Sequence, residues 1–479
     1  MSLFKGILKN TFYLTASKVG ARVLMVVFIG LLARAVGPSG IGAYSFALSL
    51  IAMFMILPNF GFNTLLVREV AKSKECASEY ITKILVIKLI LTAITAVLLI
   101  VLIVLRQYDT EKIQILFTVF LISFLESIIS ISYAIFEAYE RMEIEAGISV
   151  FNNLLRLFLG VVAIKIGMKL NGIILSLFMA EILTFALVAY IAFHGSTKIR
   201  FRFGSLGVGK IILAAAPFGI LSLMEIIFIN TDNLIIARLQ GEVAVGWYAA
   251  ASKILVIINL VPSMFWVAIF PALSRISASS SESLGQTYLK SFSYLLMLSF
   301  PITVGVFMIS DQIMLMIYGN EFRNSVLILQ LMVWMISFNF VGYINGATLC
   351  ASGRERMFAT VFSCFALANI FLDYVFITRF GYIGACYVTL ILKGIEFFLY
   401  SIICHRQLSV KPEWKMILKS LVASIIMGVV LFFSKEASIN GFLLIPFGIL
   451  IYFGLIFLFG TLPKEDYRAF RSLVYKSSG

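Results

Sequence analysis

The sequence is poor in charged residues, in histidine and in paired cysteine. Only 13% of the 479 residues are charged, against about 25% in a typical soluble domain, so water cannot be the main solvent of the chain. The two histidines are far apart and the five cysteines form no CxxC pair, which argues against a metal site or a disulfide framework. The charges that remain are unbalanced, with a formal net charge of +14.

The sequence also lacks the motifs of common catalytic sites. No HExxH, GxSxG or protein-kinase motif occurs. The segment GSLGVGKI at 204–211 nearly matches a phosphate-binding loop, but Ile211 stands where the motif needs a hydroxyl group. No connection between apolar segments is long enough for a soluble catalytic domain. We therefore expect neither an enzyme nor a bound cofactor, which disfavours a membrane polymerase, ligase or glycosyltransferase.

Long apolar runs dominate what is present. Hydrophobic residues make up 61% of the chain, and the mean hydropathy is +1.02. Runs of roughly 18 or more apolar residues are typical of membrane-spanning helices. Window hydropathy predicts an all-α protein with fourteen transmembrane helices. Their approximate limits are 11–35, 41–60, 84–105, 113–137, 147–166, 172–193, 211–235, 243–270, 288–309, 326–349, 358–377, 383–403, 417–433 and 442–460.

Lysine and arginine are distributed unevenly between the two sides of this arrangement. When cations near span ends are assigned to the adjacent connection, 23 lie at the termini and alternate connections and 9 on the opposite side. Because positive residues collect in cytoplasmic loops, the count predicts a cytoplasmic-membrane protein with both termini in the cytoplasm. The basic loops would contact anionic lipid headgroups, so the net charge requires no nucleic-acid partner.

Two segments of the chain repeat each other. LARAVGPSGIGAYSFALSL at 32–50 and IARLQGEVAVGWYAAASKI at 236–254 share six residues at a constant offset of 204. Six predicted spans separate the copies, so both halves enter the membrane from the same side as parallel repeats. The predicted domains are an N-terminal six-helix bundle at 1–195, a basic cytoplasmic linker at 196–210, a C-terminal six-helix bundle at 211–405, and two additional helices with a cytoplasmic tail at 406–479.

The repeated residues have a structural interpretation. Gly37 and Gly42 allow a tight hairpin between the first two helices. Arg238 and its counterpart in the first copy can extend to the outer interface. Pro58 and Pro262, which recur at the same offset, can kink helices whose freed carbonyl groups find neighbouring donors. Kinked helices at these places would suit a moving gate.

Charges inside the predicted spans are the candidates for function, because a charge at mid-bilayer costs roughly 2.5–3.5 kcal/mol. Lys18 and Arg22 lie four residues apart on one helical face, with no acid in their own span. They therefore need an anionic partner from another helix or from a substrate. The other charged residues within spans that we consider as candidates are Arg156, Lys253, Lys393, Glu126, Glu181, Glu225, Asp232, Asp373 and Glu396.

These other charges differ in their expected surroundings. Lys393 and Glu396 are three residues apart, so we expect them to neutralise each other. Glu137 and Asp373 can lie near the membrane interfaces, where the cost of a charge is smaller. Glu225 and Asp232 are seven residues apart and share a helical face.

Arg156 has two alternative roles. It is a candidate for binding an anionic substrate, because it is a cation within a span. It can also pair with Glu126 or Glu181 in the same half of the chain. The sequence leaves both alternatives open.

Longer segments around the repeat resemble a known family. NTFYLTASKVGARVLMVVFIGLLARAVGPSGIGAYSFALSL, followed by FGFNTLLVREVAK, resembles the N-terminal half of polysaccharide-biosynthesis flippases. INTDNLIIARLQGEVAVGWYAAASKI and then FPALSRI resemble the second half. The chain thus resembles oligosaccharide-lipid flippases of the multidrug/oligosaccharidyl-lipid/polysaccharide exporter superfamily over essentially its whole length.

The resemblance implies a fold and an activity. The fold would be two six-helix bundles in a V, with two extra C-terminal helices. The substrate would be an isoprenoid-(pyro)phosphate-linked oligosaccharide, moved from the inner to the outer leaflet by alternating access. Lys18, Arg22, Asp232 and Lys253 would surround its headgroup, and Asp232 or Glu225 could bind a coupling ion. Glycosyltransferases or a polymerase of the same pathway are implied partners.

Two related activities remain as alternatives. A multidrug extrusion antiporter of the same superfamily would favour cationic compounds and an acidic cavity. The cations in the first and eighth spans disfavour this alternative, whereas Asp232 and Glu225 agree with it. A flippase for lipid-linked peptidoglycan precursors would differ only in the glycan that it carries.

Overall fold

The computed structural model consists of α-helices joined by short turns, with no β-strand in the part of the chain that it describes. The all-α prediction is therefore confirmed. Most of the predicted linker and the C-terminal tail lie outside the described residues. The structure describes residues 2–194, 202, 207–436 and 441–461, without the side chains of residues 2–18, 193, 441 and 442.

Sixteen helices occur in this described part. Helical structure suits the apolar composition, because each helix satisfies its own backbone hydrogen bonds in a lipid environment. The helices are α1 (Ser2–Phe54), α2 (Phe62–Lys72), α3 (Ala77–Arg106), α4 (Thr110–Ala138), α5 (Met142–Lys165), α6 (Leu170–His194), α7 (Val208–Gln240), α8 (Glu242–Ile258), α9 (Leu260–Ser279), α10 (Ser281–Tyr318), α11 (Ser325–Met332), α12 (Met335–Ala351), α13 (Glu355–Phe380), α14 (Tyr382–Leu408), α15 (Trp414–Glu436) and α16 (Gly441–Leu458).

Many of these helices can cross a membrane. Within the described residues, eleven helical stretches are long and apolar enough, or twelve if the bent pair α11 and α12 counts as one crossing. The first two predicted spans lie together in α1, and α16 is a shorter apolar helix. The expectation of a multi-pass membrane protein is confirmed, and the number fourteen stays a prediction.

The two copies of the repeat break their helices in the same way. Gly37 interrupts α1 with φ 66° and ψ −176°, and Gly241 separates α7 from α8 with φ 84° and ψ −180°. A positive φ of this kind favours glycine. Farther along, α1 ends four residues before Pro58, and α9 begins two residues before Pro262. The kinks expected at both prolines are therefore present as helix breaks.

The second glycine of each copy has a different role from the one expected. Gly42 lies within the helix after the break, and a Cβ atom there would overlap the carbonyl oxygen of Glu242. A Cβ atom at Gly246 would likewise overlap the carbonyl oxygen of Pro38. The two contacts correspond to each other through the repeat offset of 204, because Gly42 is equivalent to Gly246 and Pro38 is equivalent to Glu242. A local two-fold rotation produces reciprocal contacts of this kind. The two glycines therefore allow two helices to cross closely, and they do not form part of a hairpin.

The helices form two compact units, each with its own core. In the first unit, α2 packs on α3, α4 and α7, with Leu65 and Leu66 fully buried. In the second unit, α10, α15 and α16 share a core in which the hydroxyl group of Tyr452 donates to the Met297 carbonyl at 2.6 Å. The first unit comprises Met1–Ala250 with Phe362–Ala385, and the second Ala251–Val361 with Cys386–Gly479.

Candidate functional site

The two cations of the first span differ in how far the structure describes them. Arg22 is exposed and pairs with no acid among the described residues. The side chain of Lys18 lies outside the described part of the chain. Lys253, in the second unit, is half-buried in α8. The proposed binding of an anion by these three cations stays a prediction.

Arg156 is held by two carboxylates of the first unit. Its Nη2 atom lies 2.5 Å from Glu126 Oε1 on α4 and 2.5 Å from Glu181 Oε2 on α6. The Asn152 amide also donates to Glu181 Oε2, at 3.2 Å. Glu181 is 1% exposed and Glu126 is 47% exposed, so the pair with Glu181 is the less screened of the two. The pairing expected from the sequence is therefore present with both acids.

A second charged cluster lies beside the second copy of the repeat, at 236–254. Asp232 of α7 is buried and accepts a hydrogen bond from the hydroxyl group of Tyr248 on α8. Asp373 and Asn369 of α13 lie beside it. Tyr248 is the repeat equivalent of Tyr44, which lies within electrostatic range of Arg156. The repeated tyrosine thus marks one charged cluster in each copy.

The cluster around Asp232 contains buried polar atoms without a hydrogen-bond partner in the described part of the chain. Asp232 Oδ1, both carboxyl oxygens of Asp373 and both polar side-chain atoms of Asn369, Oδ1 and the donor Nδ2, are buried and make no hydrogen bond among the described residues. Two adjacent buried carboxylates cannot both ionise without a compensating cation. The group can therefore hold either a shared proton or a hard cation such as Na⁺, which prefers oxygen ligands.

The surroundings of Asp373 are not evident from its sequence position. A location near a membrane interface, where the cost of a charge is smaller, stays a prediction. The side chain of Asp373 is fully buried, because α13 packs it against Asp232. Glu225 and Asp232 also differ more than their spacing on one helix suggests, since Glu225 is exposed and Asp232 is buried.

The within-helix pair on α14 agrees with its prediction. Lys393 Nζ lies 2.7 Å from Glu396 Oε2. The two side chains are 17% and 14% exposed. The three-residue spacing places them on adjacent turns of one face. We assign this pair a structural role.

A further buried cation, Lys88 of α3, was not among the candidates from the sequence. It is 0% exposed, and its Nζ atom donates to Asn59 Oδ1 at 3.0 Å and to the Ser127 carbonyl at 2.9 Å. The Ser130 hydroxyl is a further acceptor at 3.1 Å. All of these acceptors are neutral. Lys88 thereby ties α3 and α4 to the turn that follows α1.

The sequence contains some indication of Lys88 and of Asn369, the two residues that were not among its candidates. Lys88 lies within a predicted span, which already marks a charge as costly. Asn369 is four residues before Asp373 and shares its helical face, but single-sequence reasoning does not reveal that α13 packs against α7. The repeated tyrosine pointed to both clusters without indicating their charges.

Fold and charges together define a polytopic α-helical membrane protein with ionisable groups inside its helices. The model of a family described as "Polysaccharide biosynthesis protein" matches residues 7–277. This match covers more than half of the chain, so the chain belongs to that family. The resemblance seen in the sequence is thereby confirmed.

Individual relatives agree with this assignment. The chain is 21% identical over 459 residues to a probable low-salt glycan biosynthesis flippase, Agl15, of Haloferax volcanii, covering 93% of this chain and 94% of the relative. It is 21% identical over 386 residues to the capsular polysaccharide biosynthesis protein CapF of Staphylococcus aureus, covering 79% and 94%. Its fold is similar to the inward closed conformation of the lipid II flippase MurJ, with a TM-score of 0.73 at 17% identity, covering 96% of this chain and 99% of that one.

Proposed function

We propose that the protein is a flippase that moves an isoprenoid-(pyro)phosphate-linked oligosaccharide from the inner to the outer leaflet of the cytoplasmic membrane. The observation that carries this proposal is the family match over residues 7–277. The glycan relatives support the substrate class. Glycosyltransferases and a polymerase of the same pathway would supply and consume this substrate, and anionic lipids would contact the basic loops.

The substrate presents a phosphate group and a hydrated glycan, neither of which enters hydrocarbon cheaply. Lys18 and Arg22 of α1 and Lys253 of α8 would bind the phosphate by charge-assisted hydrogen bonds. Arg156 would contribute less, because Glu126 and Glu181 already compensate its charge.

The proposed transport cycle is alternating access between two six-helix bundles arranged in a V. In this proposal α1 supplies two crossings, broken at Gly37, and α16 supplies the fourteenth. The reciprocal crossing of Gly42 and Gly246 would close one end of the path. Both termini would lie in the cytoplasm, as the distribution of lysine and arginine predicts.

Two driving forces are compatible with these charges. An inside-negative membrane potential favours outward movement of an anion by about 2.3 kcal/mol per charge per 100 mV. The cluster of Asp232, Asp373 and Asn369 would add coupling by binding Na⁺ or a proton. Glu225, which is exposed, is the weaker candidate for this role because it lacks a second carboxylate beside it in the described structure.

The test of the binding step is a flipping assay with purified protein in liposomes. A lipid-linked oligosaccharide is incorporated, and its exposure on the far leaflet is measured over time. The double substitution Lys18→Ala/Arg22→Ala should stop flipping while the protein still inserts. Lys411→Ala/Lys415→Ala is the matched control, because these exposed lysines are also four residues apart but lie outside the predicted spans.

The outcomes are distinct. Wild-type flipping by Lys18→Ala/Arg22→Ala would refute the phosphate-binding role of these cations. Export of cationic drugs without movement of the lipid-linked glycan would favour the multidrug alternative. Equal rates for several glycans on the same carrier would show that recognition depends on the phosphate and the lipid.

A further inference from the structure

A cavity of about 320 Å³ lies in the first unit, and neither Arg156 nor Asp232 is among the residues that line it. Helices α1, α7 and α13, the last residue of α3 and the first turn of α4 form its walls. Its volume is at the lower end of the range for small-molecule pockets, roughly 300–1,000 Å³. The lining residues that matter here are Phe46, Leu50, Arg106, Lys112, Arg238 and Tyr374.

The cavity carries an excess of positive charge. Arg106 and Arg238 are exposed, and neither makes a hydrogen bond or an ion pair within the described part of the chain. Lys112 pairs with Glu242, with Nζ 2.5 Å from Oε1. Three cations therefore face one carboxylate, which leaves two positive charges uncompensated.

The remaining walls are largely apolar. Phe46 and Leu50 of α1 and Leu234 of α7 contribute aliphatic and aromatic surface. Lys112 Nζ also lies 4.6 Å from the ring centroid of Phe46 and 5.1 Å from that of Tyr108, so its position is fixed by two rings. Cations beside apolar walls fit an amphiphile with an anionic head, better than a free inorganic ion.

The cavity adjoins the helix crossing of the repeat. Arg238 lies three residues before the break at Gly241, and Glu242 begins α8. The carbonyl group of Glu242 contacts Gly42, while its side chain binds Lys112. An anion that takes Lys112 from Glu242 would therefore remove one tie between α4 and the crossing helix α8.

We propose that this cavity is a release site, which binds the phosphate or pyrophosphate head of the lipid-linked substrate at the end of the bundle predicted to face outward. The inference rests on the proposed function, since that function supplies the lipid-linked anion. Arg106 and Arg238 bind the phosphate oxygens, and the apolar walls contact the first part of the isoprenoid chain. Binding competes with Glu242 for Lys112, so occupancy favours separation of the crossing.

The experiment measures binding without transport. Protein carrying Lys18→Ala/Arg22→Ala, which removes the two α1 cations of the proposed inner site, is titrated with farnesyl pyrophosphate by calorimetry in detergent. Adding Arg106→Gln/Arg238→Gln should weaken binding roughly tenfold or more, because charge-assisted hydrogen bonds are lost. Adding Glu242→Gln instead should strengthen binding, because it removes the competing carboxylate. Lys411→Ala/Lys415→Ala should leave binding unchanged.

Three results would overturn the release site. The first is unchanged affinity in both the Arg106→Gln/Arg238→Gln and the Glu242→Gln backgrounds. The second is equal binding of inorganic pyrophosphate, which would leave the apolar walls without a role. The third is equally tight, arginine-dependent binding of phosphatidylglycerol, which would make the cavity a phospholipid site.

Failure of the proposed function would look different. Wild-type protein would then flip no lipid-linked oligosaccharide in liposomes, while farnesyl pyrophosphate would still bind in a manner that depends on Arg106 and Arg238. The opposite pattern, normal flipping without such binding, would refute only the release site. Glu242→Gln is expected to bind farnesyl pyrophosphate more tightly. The test therefore remains decisive even if Arg106→Gln/Arg238→Gln does not fold.

Discussion

Tyr44 and Tyr248 occupy equivalent positions in the two copies of the repeat, yet the charges beside them differ. Near Tyr44, Arg156 lies between two carboxylates and supplies its own counter-charge. Near Tyr248, Asp232 and Asp373 face each other with no cation among the described residues around them. The first cluster contains a cation that offsets one of its two carboxylates, whereas two adjacent carboxylates without a cation cannot both ionise. The two copies thus share their helix breaks but differ in the charges that surround the equivalent tyrosines.

The largest effect on this comparison should come from Arg156→Met. The change leaves Glu181 buried without its cation, with only the Asn152 amide as a donor, so the free energy of unfolding should fall by about 3–5 kcal/mol. Thermal unfolding of the purified protein, followed by circular dichroism, measures the loss. The triple variant Arg156→Met/Glu126→Gln/Glu181→Gln is the control and should recover most of the stability. A triple variant as unstable as the single one would contradict the compensation between these charges.

Asp232→Asn should act in the opposite direction. It removes one of two adjacent carboxylates, so stability in buffer without Na⁺ should hold or rise. Wild-type protein should gain about 2.7 kcal/mol when Na⁺ reaches roughly 100 times its Kd, and the variant should not. Unfolding curves with Na⁺ and with an equal concentration of choline test this difference. If both proteins respond equally to Na⁺, the cluster does not bind that ion, and the same comparison across pH then tests a proton.

Substitutions where the two copies of the repeat cross, at Gly42 and Gly246, should have a smaller effect on stability. Gly246→Ala places a methyl group against the carbonyl oxygen of Pro38, and such overpacking costs about 1–3 kcal/mol. Gly42→Ala should cost a similar amount, because the contact is reciprocal. Gly147→Ala is the matched control, since nothing lies within 4 Å of the added Cβ atom. Equal stability of Gly246→Ala and Gly147→Ala would show that the two crossing helices can move apart without a loss of stability.

The smallest effect is expected for the pair on α14. Replacing both partners, as Lys393→Met/Glu396→Gln, removes an ion pair without leaving a single charge. The free energy of unfolding should change by about 0.5 kcal/mol or less, and flipping should be unaffected. A strong loss of flipping at normal stability would instead give this pair a role in transport.

The sequence was sufficient for the features that depend on local pattern. Apolar runs predicted the membrane helices, and the constant offset predicted the matched breaks at Gly37 and Gly241. The three-residue spacing predicted the pair of Lys393 with Glu396. Each of these follows from helical periodicity or from the conformational freedom of glycine.

The features that were missed depend on packing between distant helices. Burial of Asp373 requires α13 to lie against α7, and nothing in the sequence of either helix specifies that contact. Lys88 was overlooked because its acceptors are neutral side chains and a carbonyl group, which leave no charge pattern to detect. The sequence suggests only a hairpin at Gly42, because the helix that crosses it begins at Glu242, 200 residues farther along the chain.

The most direct test of the central claim is the rate at which a lipid-linked oligosaccharide appears on the far leaflet of proteoliposomes. The account predicts that wild-type protein moves the glycan faster than protein-free liposomes do. It also predicts that an imposed Na⁺ or proton gradient changes this rate in the wild type but not in Asp232→Asn. Glycan exposure in wild-type proteoliposomes no faster than in protein-free liposomes, with correctly inserted protein, would contradict the account.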